Sequence, residues 1–157
     1  MKDIIDRIHK LTIQSGKSPG KMFASILEEL GELARAIKIE EGVLGNKNKK
    51  LDEPSYSECV DLFICIVSYH ITNNGNTDEI RPYDNNHMTN VCGPEVKFLL
   101  LKQFSGSLVN WGVTLQLHDC YRLYHACGGT AENFVAICDS KLDKWESQIK
   151  KEIQCTE

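Results

Sequence analysis

The sequence has no apolar stretch that could cross a membrane. Its longest, residues 62–67, is far short of the roughly 20 residues a spanning helix needs. It has no excess of positive charge: 18 Lys and Arg stand against 22 Asp and Glu, a formal net charge of −4. That balance excludes a general nucleic-acid binder, which needs a basic face. A nucleotide substrate stays open, because a bound metal ion offsets local negative charge. There is no CxxC pair among the seven cysteines, and their number is odd. A disulfide framework is therefore not expected, and reduced thiols in a cytoplasmic compartment are. Cys59 and Cys65 sit inside an apolar helical run, where free Cys behaves as a small hydrophobe. The opening MKDIIDRIHK alternates charged and apolar residues, which is not the pattern of a signal peptide. No segment alternates as a strand does, which leaves an all-α fold.

What is present is helical periodicity. The length of 157 residues suits one domain with a real core. Ile4, Ile5, Ile8 and Leu11 predict a short helix over 2–14, broken by 14–20. Ser18 followed by Pro19 reads as an N-cap with proline at the first helical position. The next helix is predicted to about residue 41, with an apolar stripe of Phe23, Ile26, Leu27, Leu30, Leu33, Ala34 and Ile37. Residues 42–54 form a polar loop. Ser55 or Ser57 is expected to cap a helix over 56–72, ended by Asn73-Asn74-Gly75. Residues 74–94 read as a long loop. Residues 95–126 read as helical with an interruption near Trp111-Gly112. Thr130 is expected to cap a last helix over 131–153. The tetrads at 74–77 and 127–130 echo one another; chance similarity of two helix ends is preferred to a duplication.

The chemistry lies in the acids. Glu29 and Glu32 are three residues apart on one helix, and Glu58 and Asp61 three apart on the next, so each pair projects together. Glu28 lies near Glu32. Alone, either motif is an ordinary solvated face. Asp61, however, opens the apolar run at 62–67, and a helix buried on most sides makes a carboxylate costly unless something compensates it. No Lys or Arg lies within a helical turn of Glu58 or Asp61. Antiparallel packing of the two helices would bring four carboxylates together. Their mutual repulsion is resolved by a divalent cation, and oxygen-only ligands select Mg²⁺, or Mn²⁺.

These residues carry a resemblance. EELGE at 28–32 followed by ECVD at 58–61 resembles the EExxE…ExxD signature of the MazG-like all-α nucleoside triphosphate pyrophosphohydrolases, a family that includes dimeric dUTPases and dCTP pyrophosphatases. Lys141-Leu142-Asp143-Lys144-Trp145 resembles the basic segment of that family's last helix. The likeness covers roughly residues 20–72 and 128–150. It implies a MazG-like helical bundle completed by dimerisation, as a homodimer or a dimer of dimers, and hydrolysis of a nucleoside triphosphate to monophosphate and pyrophosphate. It implies Glu29, Glu32, Glu58 and Asp61 as metal ligands and Glu28 as a further ligand or the base that orients water. Lys141 and Lys144 would face the phosphates, and Trp145, where many members carry Asn, would stand at the nucleotide. Without the resemblance, the two lysines read as part of a solvated charged face. Residues 74–127 exceed the family's minimal core and carry no assigned role.

Other patterns are set aside. Gly16-Lys17-Ser18 lacks the first glycine and the preceding strand of a phosphate-binding loop. His118, Asp119, Cys120 and His125 match no zinc spacing. A di-iron site needs ExxH, and Asp61 stands where that histidine would be. Trp111, Trp145 and Phe104 could stack on a base but suit a core or an interface better. The competing class of function is a non-catalytic helical module that binds a nucleotide or a protein, against which the gathering of so many like charges argues.

Overall fold

The computed structural model describes residues 1–43, 50–74, 77, 80, 94–107 and 113–155. Among them are six helices and no strand: α1 (Lys2–Ser15), α2 (Pro19–Glu40), α3 (Ser55–Asn74), α4 (Pro94–Ser107), α5 (Val113–Ala126) and α6 (Ala131–Gln154). The all-α expectation holds. The expected interruption at Trp111-Gly112 and most of the 74–94 loop lie outside the described residues, as does part of the 74–77 echo.

Local chemistry sets the helix ends. Gly16, at φ 58°, stops α1 in the left-handed conformation that glycine tolerates best. Ser18 accepts from the Lys21 N–H with Pro19 at the first turn, and Thr130 accepts from the Asn133 N–H, so both predicted caps form. Each contributes about 1 kcal/mol. The expected Ser55 or Ser57 cap of α3 does not form. Ser55 is already helical, and its N–H donates to Glu40 Oε1 at 2.7 Å. Ser57 Oγ instead donates to Glu53 at 2.7 Å. A carboxylate from the end of α2 thus does the work of a local hydroxyl, which also ties the two helices together.

That tie fixes the geometry of the site. Glu40 meets Ser55 at one end of the α2–α3 pair, and Phe23 meets Tyr69 at the other, with ring centroids 5.7 Å apart. The helices are therefore antiparallel, and the middle of α2 lies opposite the turn of α3 that carries Asp61. The α2 stripe is rotated from the expected one. Met22, Ile26, Leu33, Ala36 and Ile37 are buried, while Leu27 is 51% exposed. Phe23, Leu30 and Ala34 are half-buried.

α3 is the central helix. It packs on α1, α2, α5 and α6, and Cys59, Val60, Leu62, Ile66 and Val67 are fully buried. Full burial of a side chain such as Leu or Ile stabilises by about 1.5–3 kcal/mol. Specific contacts fix each neighbour. Thr12 donates to Ser68 at 3.0 Å between α1 and α3, Cys120 donates to the Cys59 carbonyl at 3.3 Å from α5, and Phe63 meets Phe134 of α6 edge-on at 5.1 Å. The apolar faces of α3 thus find their cover within the chain. Between α5 and α6, Gly129 lies against the Tyr124 ring, where a Cβ would stand 2.2 Å from a ring carbon. The Tyr124 hydroxyl donates to the Thr130 carbonyl at 2.8 Å, locking the corner that aims α6 back across α3.

Candidate active site

α2, α3, α6 and the residues just before α3 enclose a cleft of about 470 Å³. All eight residues singled out from the sequence line it: Glu28, Glu29 and Glu32 from α2, Glu58 and Asp61 from α3, and Lys141, Lys144 and Trp145 from α6. The volume falls within the range of small-molecule sites.

Three of the acids converge closely. One carboxylate oxygen from each of Glu29, Glu32 and Glu58 lies within 4.8 Å of the others, the only such metal-spaced group among the described residues. Glu58 is 9% exposed, and its carboxylate has no hydrogen bond or ion pair among them. Burial, reinforced by Asp61, Glu32, its neighbour Glu58 and Glu28, pushes Glu29 up to about 8. Burial and Asp61 push Glu58 up to about 7, against the pull of Lys141. Like charges brought together out of water hold their protons. A hard divalent cation is what this donor set fits: three oxygens, no nitrogen or sulfur, and in Glu29 and Glu58 two acids destabilised in the absence of an ion-paired cation. Glu28 is exposed at the rim and stands outside the three-oxygen group.

Asp61 is placed differently from the other predicted ligands. Its carboxylate is ion-paired with Lys141, which also binds Glu53. Burial raises the Asp61 carboxyl, with Lys141 working in the opposite direction. At Glu53 burial is outweighed by hydrogen bonds from Lys141 and Ser57, and its carboxyl is lowered. The compensating cation that the sequence around Asp61 lacks comes from α6, 80 residues away. Lys144 is exposed on the same face of the cleft, and Trp145 is half-buried in its wall.

Several lining residues were not anticipated. Lys17, Arg35 and Lys50 add positive charge, and Glu53 and Cys65 add a further carboxylate and a thiol. Arg35 had a signal, since it stands three residues after Glu32 and so on the same helical face. Lys17 appeared only within the rejected Gly-Lys-Ser pattern. Glu53 had none, because it lies in a loop. Cys65 follows Asp61 by four residues; burial, then Glu29 and Asp61, push its thiol up to about 12.

Of the residues set aside, Lys17 and Trp145 line the cleft, whereas His118, Asp119, Cys120, His125 and Phe104 do not. His118 lies 3.6 Å from Asp119, while His125 bonds the Gly129 carbonyl at 2.9 Å and packs on Tyr121. Phe104 is fully buried in the core, and Trp111 lies outside the described residues. The six cysteines among the described residues are free thiols. No helix among the described residues is long and apolar enough to cross a membrane. No protein-family model, curated protein or solved structure matches the chain.

Proposed function

We propose that this protein is a Mg²⁺-dependent nucleoside triphosphate pyrophosphohydrolase of the MazG-like kind, with Mn²⁺ as the alternative ion, acting to clear unwanted nucleotides or control their pools. The observation that carries the proposal is the meeting of all eight residues, drawn from three helices, in one cleft. Glu29, Glu32 and Glu58 would hold the ion, with Asp61 as the fourth carboxylate of the motif. The ion would neutralise phosphate charge and lower the pKa of a coordinated water. Glu28, exposed beside this group, orients and deprotonates the attacking water or supplies a further oxygen. Lys141 and Lys144 stabilise the charge that builds on the leaving pyrophosphate. Arg35 on α2 and Lys17 just before it extend the positive lining. Trp145 offers a planar face in the wall for the base.

The test is chromatography of products from a panel of ribo- and deoxynucleoside triphosphates, with Mg²⁺ and with a chelator. Monophosphate and pyrophosphate in the Mg²⁺ arm alone support the reading. Accumulating diphosphate and orthophosphate refutes it, and nucleotide binding without turnover points to the non-catalytic module instead. Assembly as a homodimer or a dimer of dimers belongs to the same proposal. Its support is the resemblance together with the exposed Leu27 on α2, which a second copy would cover. Light scattering checks it: a fully active species near the 17.8 kDa chain mass rules it out.

A further inference from the structure

Asp61 stands apart from the three-glutamate group, and the group bonded to it is Lys141. We propose that Lys141 is a latch on the fourth carboxylate: it withholds Asp61 from the cation site until a phosphate group draws the ammonium away, so that cation and phosphate bind cooperatively. The inference rests on the cation-site reading above and adds to it a coupling that neither the motif nor its spacing contains.

Four observations carry it. The oxygens of Glu29, Glu32 and Glu58 come within 4.8 Å of one another without Asp61. Glu58 is nine-tenths buried, aimed into the cleft, and without a hydrogen bond or ion pair among the described residues. Lys141, its side chain 12% exposed, divides one positive charge between Asp61 and Glu53. Glu53 is itself anchored by Ser57, so it retains a hold on Lys141 if Asp61 lets go. An ammonium is a compact charge on a flexible stem with three donors, able to turn toward a new anion without leaving the cleft. A phosphate dianion attracts it more strongly than a carboxylate monoanion does. Asp61, once released, is a carboxylate beside three others and a cation. Linkage is reciprocal: if phosphate improves cation binding, the cation improves phosphate binding by the same factor.

The experiment is titration with Mn²⁺, free ion counted by electron paramagnetic resonance, without and with inorganic phosphate. Circular dichroism confirms the fold of each variant. Lys141→Gln is expected to bind Mn²⁺ about tenfold more tightly than wild type in the absence of phosphate, a coupling of ordinary size. Adding Asp61→Asn should cancel that gain, which is what a double-mutant cycle reads when two residues act through each other. Lys144, which acts on Asp61 only through its field and makes no ion pair with it, is the control: Lys144→Gln removes a charge from the same face, leaves the Lys141–Asp61 pair in place, and should change affinity by less than about threefold. Asp61→Asn alone, which does not depend on the folding of the Lys141 variant, should abolish the phosphate enhancement. The latch is overturned if Lys141→Gln binds no more tightly, if the gain survives Asp61→Asn, or if Lys144→Gln matches it. Those results leave the cation site standing. Absence of Mn²⁺ binding by the wild type at millimolar concentration removes the site itself, and the latch with it.

Discussion

Arg7 gathers Asp139, Asp143 and Glu146 around one guanidinium between α1 and α6, at 3.2 Å from Asp139 and 3.4 Å from Glu146. Glu29, Glu32 and Glu58 converge between α2 and α3 with no lysine or arginine ion-paired to any of them among the described residues. Both groups are three acids brought together by helix packing. In the first, the cation is part of the chain, Asp139 and Asp143 are exposed, and the half-buried Glu146 has its carboxyl lowered by Lys150 and, less strongly, Arg7. In the second, burial and repulsion push two of the acids up to about 8 and about 7. Acid count does not separate a structural clamp from a candidate metal site. Burial and the origin of the compensating charge do.

The largest expected effect breaks the comparison at the cleft. Glu32→Gln or Asp61→Asn should lower turnover at least about 100-fold with circular dichroism unchanged, whereas Asp143→Asn in the Arg7 group should leave turnover within about twofold. Full activity of either cleft variant takes that residue out of the site.

The next effect is thermodynamic. A saturating divalent cation should raise the melting temperature, since an ion at 100 times its dissociation constant adds about 2.7 kcal/mol. For a chain of this length that is roughly 5–10 °C. Glu58→Gln should lose most of the increase in calorimetric scans. An equal increase in that variant would place the ion elsewhere.

The pH dependence sharpens the contrast. Glu29 and Glu58 bind protons more tightly in the folded chain than in the unfolded one, where they titrate near 4.5. Between about pH 4.5 and 8 the unfolded state carries fewer of these protons, so metal-free stability falls as pH rises across that window. Glu29→Gln should flatten the fall and raise the metal-free melting temperature at pH 8 by a few degrees. A wild-type profile that rises from pH 5 to 8 with the same slope in Glu29→Gln would contradict the assignment.

The smallest effect is at the clamp. Arg7→Ala should cost about 0.5–1 kcal/mol, as partly exposed ion pairs do, and lower the melting temperature by roughly 1–4 °C without changing turnover. A loss of activity as large as in Asp61→Asn would mean that α6 depends on Arg7 to present Lys141.

The cleft was legible where its chemistry is periodic. Three-residue spacing places Glu29 with Glu32 and Glu58 with Asp61, and the apolar run after Asp61 marks α3 as the buried helix. Ser18 and Thr130 were readable as caps because a cap is a local hydrogen bond. What escaped is non-local. Glu40 caps α3 from another helix, so the nearby Ser55 and Ser57 misled. Lys141 reaches Asp61 across 80 residues, and Glu53 holds it from a loop, so no local pattern connects the three. Leu27 fits the apolar stripe of α2 as well as Ile26 does, yet it faces outward, because the α2 circumference is shared between the core and the cleft. The cover of α3 by four helices of its own chain depended on where α5 and α6 return, which spacing within α3 does not encode.

The most direct test of the central claim, that the uncompensated glutamates form a cation site, is calorimetric titration of Mg²⁺ at pH 7 in buffers of different ionisation enthalpy. With Glu29 near 8 and Glu58 near 7, both must give up protons to bind an ion, so the account predicts binding coupled to release of between about one and two protons per ion. Glu29→Gln should lower that number by close to one. Binding without proton release, or no binding at millimolar Mg²⁺, would contradict it.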